Sequence, residues 1–422
     1  MKKLLWSAVL LAALSACSTV PVKESGAPGP AAAVPEGPLV VPALSALPDT
    51  PARVLQGRYA PVGWQNLPGW SADDLSHVWK GLLNDCRGLM RPAGSLASPA
   101  RANPRAWQPV CQAAVQSGLG PDAPGDVVRQ FLQAQLRPWR LELASGRPAS
   151  GMVTGYYEPL IHASRTRGGV YQWPLYATPA DLLTIDLGSV YPELAGKRVR
   201  GKLEGKRVVP YDTRAEIAAD PARQPPVIVW ANDPVEAFFL QIQGSGRAIL
   251  PDGSVIRLAY ADHNGRPYVS IGQWLARQGA MPLAQTSMQN IKRWARAHPD
   301  RVQQMLNVNP AMVFFREEAI TDSELGPNGA YGVPLQPQRA IAVDTRFVPL
   351  GTPVYLDTQR PGGGPLRRLV YALDTGAAIQ GAGRADFYWG TGPEAGALAG
   401  RMKQTGEMWL LWPTAAGAPS AR

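Results

Sequence analysis

The sequence predicts a mainly β protein with flanking helices that is built from more than one domain. The chain has 422 residues, which is more than one domain usually holds. Its hydrophobic content of 45% and charged content of 18% are those of an ordinary globular protein with a large core. Short apolar runs bounded by turn residues dominate the sequence from residue 151 onward, and helical spacing precedes and interrupts them.

The N-terminus has the pattern of a bacterial lipoprotein signal. Two lysines precede an apolar stretch from Leu4 to about Leu14, and small residues lead to Cys17. Residues 1–16 are therefore expected to be removed, and Cys17 is expected to carry the lipid. An ordinary secretory signal or an uncleaved anchor is the alternative. Ser18 after the cysteine favours the outer membrane, with the body facing the periplasm.

Residues 17–48 are rich in Pro, Ala and Gly, which predicts a flexible tether. The N-terminal part of the main domain, residues 49–153, should contain three helices. They are predicted near residues 72–87, 105–117 and 126–137, the last ended by Pro138, with Ser71 and Asp74 at capping-box spacing before the first.

Cys86 and Cys111 lie on the apolar faces of the first two predicted helices. In an oxidising compartment such an even pair favours a disulfide that joins the helices. Two reduced, buried thiols are the alternative. The chain has four histidines and three cysteines, with no cluster of the two, so no metal site is predicted.

Residues 154–282 are predicted to form an inserted β domain. Its strands are MVTGYY, VYQWPLYA, PVIVWA, AFFLQIQG, RAIL, SVIRLAYA and YVSIGQWL. Hairpin turns are predicted at Pro251-Asp252-Gly253 and at Asn264-Gly265.

Residues 283–415 are expected to complete the main domain. Helices are predicted over residues 287–297, 299–306 and 393–403. The strands are MVFFRE, RAIAVDT, TPVYLDT, RRLVYALD and MWLLW.

The formal net charge is +10, with the arginines scattered along the chain. A solvated basic surface explains this charge as well as an anionic partner does. A location outside the cytoplasm argues against nucleic acid as that partner.

Two carboxyl groups twelve positions apart are the candidate catalytic residues. Asp374 follows a buried strand, and Asp386 begins an aromatic cluster that ends at Trp389. Loss of water beside aromatic walls raises the pKa of a carboxyl group and suits it to general-acid catalysis. A turn-capping Asp374 and a solvated Asp386 are the alternative. Asp374-Thr375-Gly376 also matches the aspartic protease triplet, but a single copy in an irregular chain argues against that class.

Two further segments have the chemistry of a sugar-binding surface. Tyr156 and Tyr157 are adjacent in a predicted strand and therefore point to opposite faces, which leaves one of them for stacking or for a domain junction. Two core aromatics are the alternative. The segment Gln243-Gly244-Ser245-Gly246 offers an amide, a hydroxyl and accessible backbone to the polar groups of a sugar.

Six blocks of the sequence together resemble the membrane-bound lytic murein transglycosylase A family. They are TGYYEP at 154, FFLQIQGSG at 238, YADHNGRPYVSIG at 260, NPAMVFF at 309, GAYGVPLQPQRAIAVD at 329 and ALDTGAAIQGAGRADFYWGTGPEAG at 372. The resemblance covers nearly all of the body, and the lipoprotein signal agrees with it.

The resemblance implies a double-psi β-barrel domain, an inserted β domain and a groove between them that holds a glycan strand. It implies that Asp386 is the catalytic acid and base, and that Asp374 supports it. Thr154 and Gln243 match groove positions. The further substrate-binding residues expected from these motifs are Tyr156, Tyr157, Gly244, Ser245, Gly246 and Trp389.

The implied function is cleavage of the MurNAc-(β1,4)-GlcNAc bond of peptidoglycan to form 1,6-anhydro-MurNAc ends, without a metal or organic cofactor. The implied partners are glycan strands, the outer membrane and other cell-wall synthesis or hydrolysis proteins. A non-catalytic peptidoglycan-binding lipoprotein and a peptidoglycan hydrolase are the alternatives.

Overall fold

The computed structural model describes residues 37–49, 51–91, 100–187, 189–191, 199–376 and 378–421. The predicted signal, the lipidation site Cys17 and most of the predicted tether lie outside these residues. Within the described ranges, no helix combines the length and the apolar character that crossing a membrane requires.

The helices are α1 Val78–Met90, α2 Pro104–Gln116, α3 Gly125–Gln135, α4 Arg214–Ala219, α5 Pro234–Gln243, α6 Ile271–Arg277, α7 Met288–Ala297, α8 Val302–Asn307 and α9 Gly392–Ala399. The strands are β1 Arg58–Pro61, β2 Leu136–Glu142, β3 Gly151–Glu158, β4 Leu160–Ser164, β5 Trp173–Tyr176, β6 Leu183–Ile185, β7 Val199–Glu204, β8 Arg207–Val209, β9 Val227–Ala231, β10 Gly246–Ile249, β11 Val255–His263, β12 Val313–Glu318, β13 Ala340–Val343, β14 Thr352–Gln359, β15 Pro365–Asp374, β16 Ala385–Thr391 and β17 Lys403–Pro413.

The main domain is a closed barrel. Its eight-stranded sheet has the order β1-β2-β17-β14-β15-β13-β16-β3, and β17 also pairs with β3. The strands from β17 to β3 therefore form a ring, which leaves no open edge within it. Helices α1 and α2 cover the ring, where Trp79 and Trp107 are fully buried in the same core as Tyr355 and Trp412. The predicted barrel is confirmed.

The second domain is inserted between β3 and β13. Its six-stranded sheet has the order β12-β11-β10-β4-β9-β5, and a separate three-stranded sheet contains β6, β7 and β8. Because β12 pairs with β11 along Val313–Glu318, the insert continues well beyond the boundary expected at residue 282. Helices α5 to α8 share one apolar core, which also assigns residues 283–307 to the insert.

Two segments predicted as strands of the insert are helices. The run AFFLQIQG forms most of α5. Asp233 caps the start of this helix, because its carboxylate accepts from the backbone N–H groups of Val235 and Glu236. The run YVSIGQWL gives α6, capped by the hydroxyl of Ser270. Both runs are apolar enough to form either a strand or a helix. The capping residues and the packing of the segments favour the helix.

The first predicted helix begins later than expected. Trp70–Ala72 form a short 3-10 turn, and α1 starts at Val78, so Ser71 and Asp74 do not cap it. Asp73 explains the difference, because this buried carboxylate pairs with Arg339 at 3.0 Å and holds the segment against the barrel. Pro138 does not end a helix either, since it lies within β2.

The sulfur atoms of Cys86 and Cys111 are bonded to each other, which links α1 to α2. The hairpin predicted at Pro251-Asp252-Gly253 joins β10 to β11, with Gly253 at φ +84°. The hairpin predicted at Asn264-Gly265 is wrong, because β11 pairs with the distant β12 rather than with a strand that follows directly.

Candidate active site

The two candidate carboxyl groups lie in one row across the barrel. Thr154 of β3 pairs with Asp386 of β16, and Ala342 of β13 is in register with both Asp386 and Asp374. Residues in register across neighbouring strands share one face of a sheet. With strands about 4.8 Å apart, one strand between them places the two aspartate Cα atoms about 10 Å apart.

Asp386 is held by a short hydrogen bond. The hydroxyl of Thr154 donates to its Oδ1 at 2.6 Å. Burial raises the pKa of Asp386 to about 6, while the Thr154 hydrogen bond and the positive charge of Arg384 act in the opposite direction and the charge of Asp374 adds to the rise. The direction is the one expected from the sequence, and a carboxyl group with such a pKa can both donate and accept a proton near neutral pH.

Asp374 ends β15, as the sequence predicted. Its Oδ1 accepts from the backbone N–H groups of Ala330 and Thr375, both at 2.9 Å, and its Oδ2 accepts from the hydroxyl of Tyr156 at 3.2 Å. Burial raises the pKa of Asp374, and these three hydrogen bonds oppose the rise. The carboxyl group is thus fixed in orientation by groups that stabilise its charged form.

Replacing Thr154 by Val is expected to raise the pKa of Asp386 above about 6, because the hydroxyl stabilises the ionised carboxylate. Carbon-13 NMR titration of the Asp386 carboxyl group measures this change. Thr154→Ser keeps the hydroxyl and should leave the midpoint in place. A midpoint that falls, or that moves equally in both variants, would contradict the expectation.

The turn that presents the N–H of Ala330 depends on Gly329. A Cβ at Gly329 would lie 2.5 Å from the backbone oxygen of Leu373, so the turn must shift in Gly329→Ala. We expect a loss of about 1–3 kcal/mol in the free energy of unfolding from overpacking, and a higher pKa of Asp374 as the Ala330 hydrogen bond weakens.

Urea unfolding and NMR titration measure the two effects of Gly329→Ala. Gly120→Ala is the matched control, since a Cβ there has nothing within 4 Å and Gly120 has no positive φ. Equal stability of the two variants would show that the turn adapts without cost.

Several predicted substrate-binding residues meet at the junction between the domains. The side-chain oxygen of Gln243 accepts from the backbone N–H of Tyr157 at 3.2 Å, and the hydroxyl of Tyr157 contacts the sulfur of Met288 at 3.7 Å. Ser245 accepts from the backbone N–H of Tyr260 at 3.1 Å. Tyr157 and Gln243 therefore join β3 of the barrel to the insert.

Gln243 and Gly244 lie at the end of helix α5, not at the end of a strand as predicted. Gly244 takes the left-handed conformation of a helix cap, at φ +83°. Gly246 is buried, and a Cβ there would lie 2.5 Å from Leu240. Its role in the structure is close packing of β10 against α5.

The structure does not bring Trp389 to the site. Its side chain is only 4% exposed, and its indole N–H contacts the sulfur of Met402 at 3.3 Å. Phe387 and Tyr388 are also buried. The expectation that Trp389 binds substrate is wrong, because β16 lies within the barrel and these side chains pack into its core.

Arg384 is a site residue that the sequence analysis missed. Its Nη2 donates to the hydroxyl oxygen of Thr154 at 2.9 Å, so one hydroxyl connects it to Asp386. Its position two residues before Asp386 was the available signal. Among the described residues, no group of three or more His, Cys, Asp or Glu side chains is arranged to hold a metal ion.

Comparisons with known proteins give the family. Residues 152–316 match the MltA specific insert domain, and residues 339–412 match the 3D domain. The chain is 33% identical over 302 residues to membrane-bound lytic murein transglycosylase A of Escherichia coli, covering 70% of this chain and 74% of that protein.

Solved structures agree with this. A structure of MltA from Neisseria gonorrhoeae has a TM-score of 0.74 at 34% identity, covering 92% of this chain and 100% of that chain. Lytic transglycosylase LtgG of Burkholderia pseudomallei is 42% identical, with a TM-score of 0.58. The match covers 86% of this chain and 100% of that chain. E. coli MltA with bound chitohexaose is 27% identical, with a TM-score of 0.60. The match covers 86% of this chain and 96% of that chain.

The fold is therefore that of the lytic murein transglycosylases of this class, a double-psi β-barrel with an inserted domain. The chain belongs to the membrane-bound lytic murein transglycosylase A family.

Proposed function

We propose that this protein is a peptidoglycan lytic transglycosylase that cleaves the MurNAc-(β1,4)-GlcNAc bond and leaves 1,6-anhydro-MurNAc ends, with Asp386 as the acid and base. The observation that carries the proposal is the position of Asp386 in the family fold, where its carboxyl group accepts from Thr154 at 2.6 Å and burial raises its pKa to about 6. The relatives are named lytic murein transglycosylases, and one of them was solved with chitohexaose.

Cleavage begins with proton transfer from protonated Asp386 to the oxygen that joins MurNAc to GlcNAc. The bond from the MurNAc anomeric carbon to this oxygen breaks, and positive charge develops on that carbon. Ionised Asp386 then takes the proton of the 6-hydroxyl group as its oxygen bonds to the anomeric carbon. One carboxyl group serves both steps, and no water is consumed, in contrast to the hydrolases that use two carboxylates.

Asp374 is proposed to support proton transfer by Asp386. It ends β15, which is separated from β16 by one strand, β13. Its negative charge raises the pKa of Asp386, which keeps the proton on the acid before cleavage. It also favours the positive charge that develops on the sugar. Tyr156, Ala330 and Thr375 hold its two oxygens in position.

Thr154, Tyr156, Tyr157, Gln243 and Ser245 are the residues that we propose to line the glycan groove. The side-chain amide nitrogen of Gln243 makes no hydrogen bond to another described residue, so it is available to a sugar oxygen. The same proposal includes a lipid anchor at Cys17 that holds the enzyme at the outer membrane, facing the periplasm, where glycan strands are its substrate.

The test is mass spectrometry of the soluble products released from intact sacculi by residues 49–422. Products that lack one water at MurNAc and have no reducing end are expected. Reducing ends would instead establish a hydrolase, and binding to sacculi without products would establish a non-catalytic binding protein. Because the acid must be protonated, release should decline as pH rises through about 6.

A further inference from the structure

We propose that Arg384 and Lys403 form a carboxylate-binding subsite beside Asp386, and that its ligand is the free lactyl carboxylate of a muramic acid residue whose stem peptide has been removed. This inference rests on the proposed function. It names the form of glycan that the site prefers.

Lys403 of β17 belongs to the same row of residues as the candidate acid. It is in register with Thr154 on one side of β3, and Asp386 is in register with Thr154 on the other. Register partners share one face of a sheet, so the lysine side chain leaves the barrel on the face that carries the Asp386 carboxyl group. Lys403 is exposed, and its ammonium group makes no salt bridge or hydrogen bond to another described residue.

Arg384 places a second positive charge next to the hydroxyl group of Thr154. Its Nη1 donates to the backbone oxygens of Met152, at 3.0 Å, and Ala385, and its Nη2 donates to Thr154. These bonds orient the guanidinium. The charge of Arg384 acts on Asp386 through space, but the guanidinium forms no salt bridge with a carboxylate among the described residues. Its Nε–H has no hydrogen-bond partner among the described residues. Burial lowers the pKa of the guanidinium, and the charge of Asp386 opposes this change.

The charges around Asp386 are therefore arranged asymmetrically. The two cations lie toward β3 and β17, whereas Asp374 lies on the opposite side, beyond β13. Asp386 does not neutralise the cations while it carries the proton that the proposed cleavage requires. Such a pair of cations fits an anionic group on the bound sugar.

The substrate chemistry supplies one such group close to the reacting bond. Muramic acid carries a lactyl ether on C3, two carbon atoms from C1. C1 is the anomeric carbon whose bond to the leaving oxygen breaks. The lactyl carboxyl group is an amide when a stem peptide is attached and a carboxylate when the peptide has been removed. Charge-assisted hydrogen bonds favour the carboxylate. An amide hydrolysis that removes the peptide is thus the reaction that supplies the preferred substrate.

Binding measurements on Asp386→Asn test the subsite without turnover. Two probes are compared by isothermal titration calorimetry: glycan strands freed of peptide, and the same strands with their lactyl carboxylates converted to methylamides. We expect the carboxylate strands to bind about tenfold more tightly, the scale of a charge-assisted hydrogen bond. Adding Arg384→Gln and Lys403→Gln should bring the ratio close to one.

Arg360→Gln is the matched control, because Arg360 is an exposed arginine in the loop before β15, at the far end of that strand from Asp374. It should keep the tenfold ratio. Arg384→Lys with Lys403 intact keeps both charges and should retain most of the preference, which separates charge from folding. Circular dichroism melting checks that each variant is folded.

Equal affinity of the Asp386→Asn protein for both probes, or an unchanged ratio in the double charge variant, would overturn the inference. Strands that keep their stem peptides are measured as a third probe. If they bind as tightly as the carboxylate strands and lose this affinity in the double charge variant, the site belongs to the stem peptide and the lactyl assignment is overturned. Failure of the proposed function is a separate result, since it would appear as absence of anhydro products with the unmodified enzyme.

Discussion

Asp386→Asn is expected to fold normally and to lose lytic activity by about 10³-fold, within the range for removal of a general acid and base. The amide has nearly the shape of the carboxyl group and can still accept from Thr154, which donates to Oδ1 at 2.6 Å. It cannot give a proton to the leaving oxygen or take one from the 6-hydroxyl group. Release of soluble products from sacculi measures the loss.

The stability of Asp386→Asn provides a control that does not depend on activity. Burial raises the pKa of Asp386 to about 6 in the folded protein, above the usual value near 3.9. The stability that its protonated form contributes is therefore complete below about pH 4 and is lost as pH rises through about 6. Asn has no such transition, so the variant should be as stable as the parent at low pH and more stable at pH 7.

Activity of Asp386→Asn within about tenfold of the parent would remove this residue from the role of acid and base. A variant that melts early at pH 7 would instead show that the carboxylate has a structural role. Comparison at pH 4 and pH 7 separates the two outcomes, because the difference in stability should be small at pH 4 and close to its full size at pH 7.

The second large effect is expected at Glu158, which joins the two domains. Its carboxylate is fully buried and pairs with Arg247 and Arg257 of the insert, each at 2.8 Å, while Thr391 of the barrel donates to it at 2.9 Å. Glu158→Ala leaves two buried guanidinium groups without their anion. We expect a loss of about 3–5 kcal/mol in the free energy of unfolding, measured by urea denaturation.

Glu317→Ala is the matched control. Glu317 also accepts two hydrogen bonds from an arginine, Arg165, at 2.6 and 2.8 Å, but both side chains are nearly half exposed. Exposed ion pairs contribute about 0–1 kcal/mol because water and salt screen them. Similar losses in the two variants would mean that the buried carboxylate at the domain junction adds little beyond a surface pair.

Local chemistry determined much of the fold before any long-range contact is considered. The apolar runs of β13, β14, β15 and β17 were predicted as strands from their composition, and Asp374 was expected where β15 ends. Helices α2, α7 and α9 were predicted close to their bounds from helical spacing and, for α9, from Pro393 at its start; the structure adds caps at Asn103 and Ser287. These signals act within a few residues, so a sequence displays them directly.

The segments that were misassigned are those whose local signals fit two structures. Helix α5 is apolar on most of its surface, and its packing between β9 and α7 decides its conformation. Strand β16 was not predicted, because glycines precede it and its hydrogen bonds come from β13 and β3, both distant in sequence. The insert was predicted as a β domain. It also contains helices α4 to α8, so it is a mixed α and β domain.

The sequence by itself identified the two aspartates and the motifs around them, since residue type and spacing carry that information. Only the tertiary structure decided which neighbours each one has. Trp389, adjacent to this motif, is buried in the barrel, whereas Thr154 lies 232 positions from Asp386 and donates to it. The environment of a carboxyl group, and hence its pKa, depends on strands that meet only when the barrel closes.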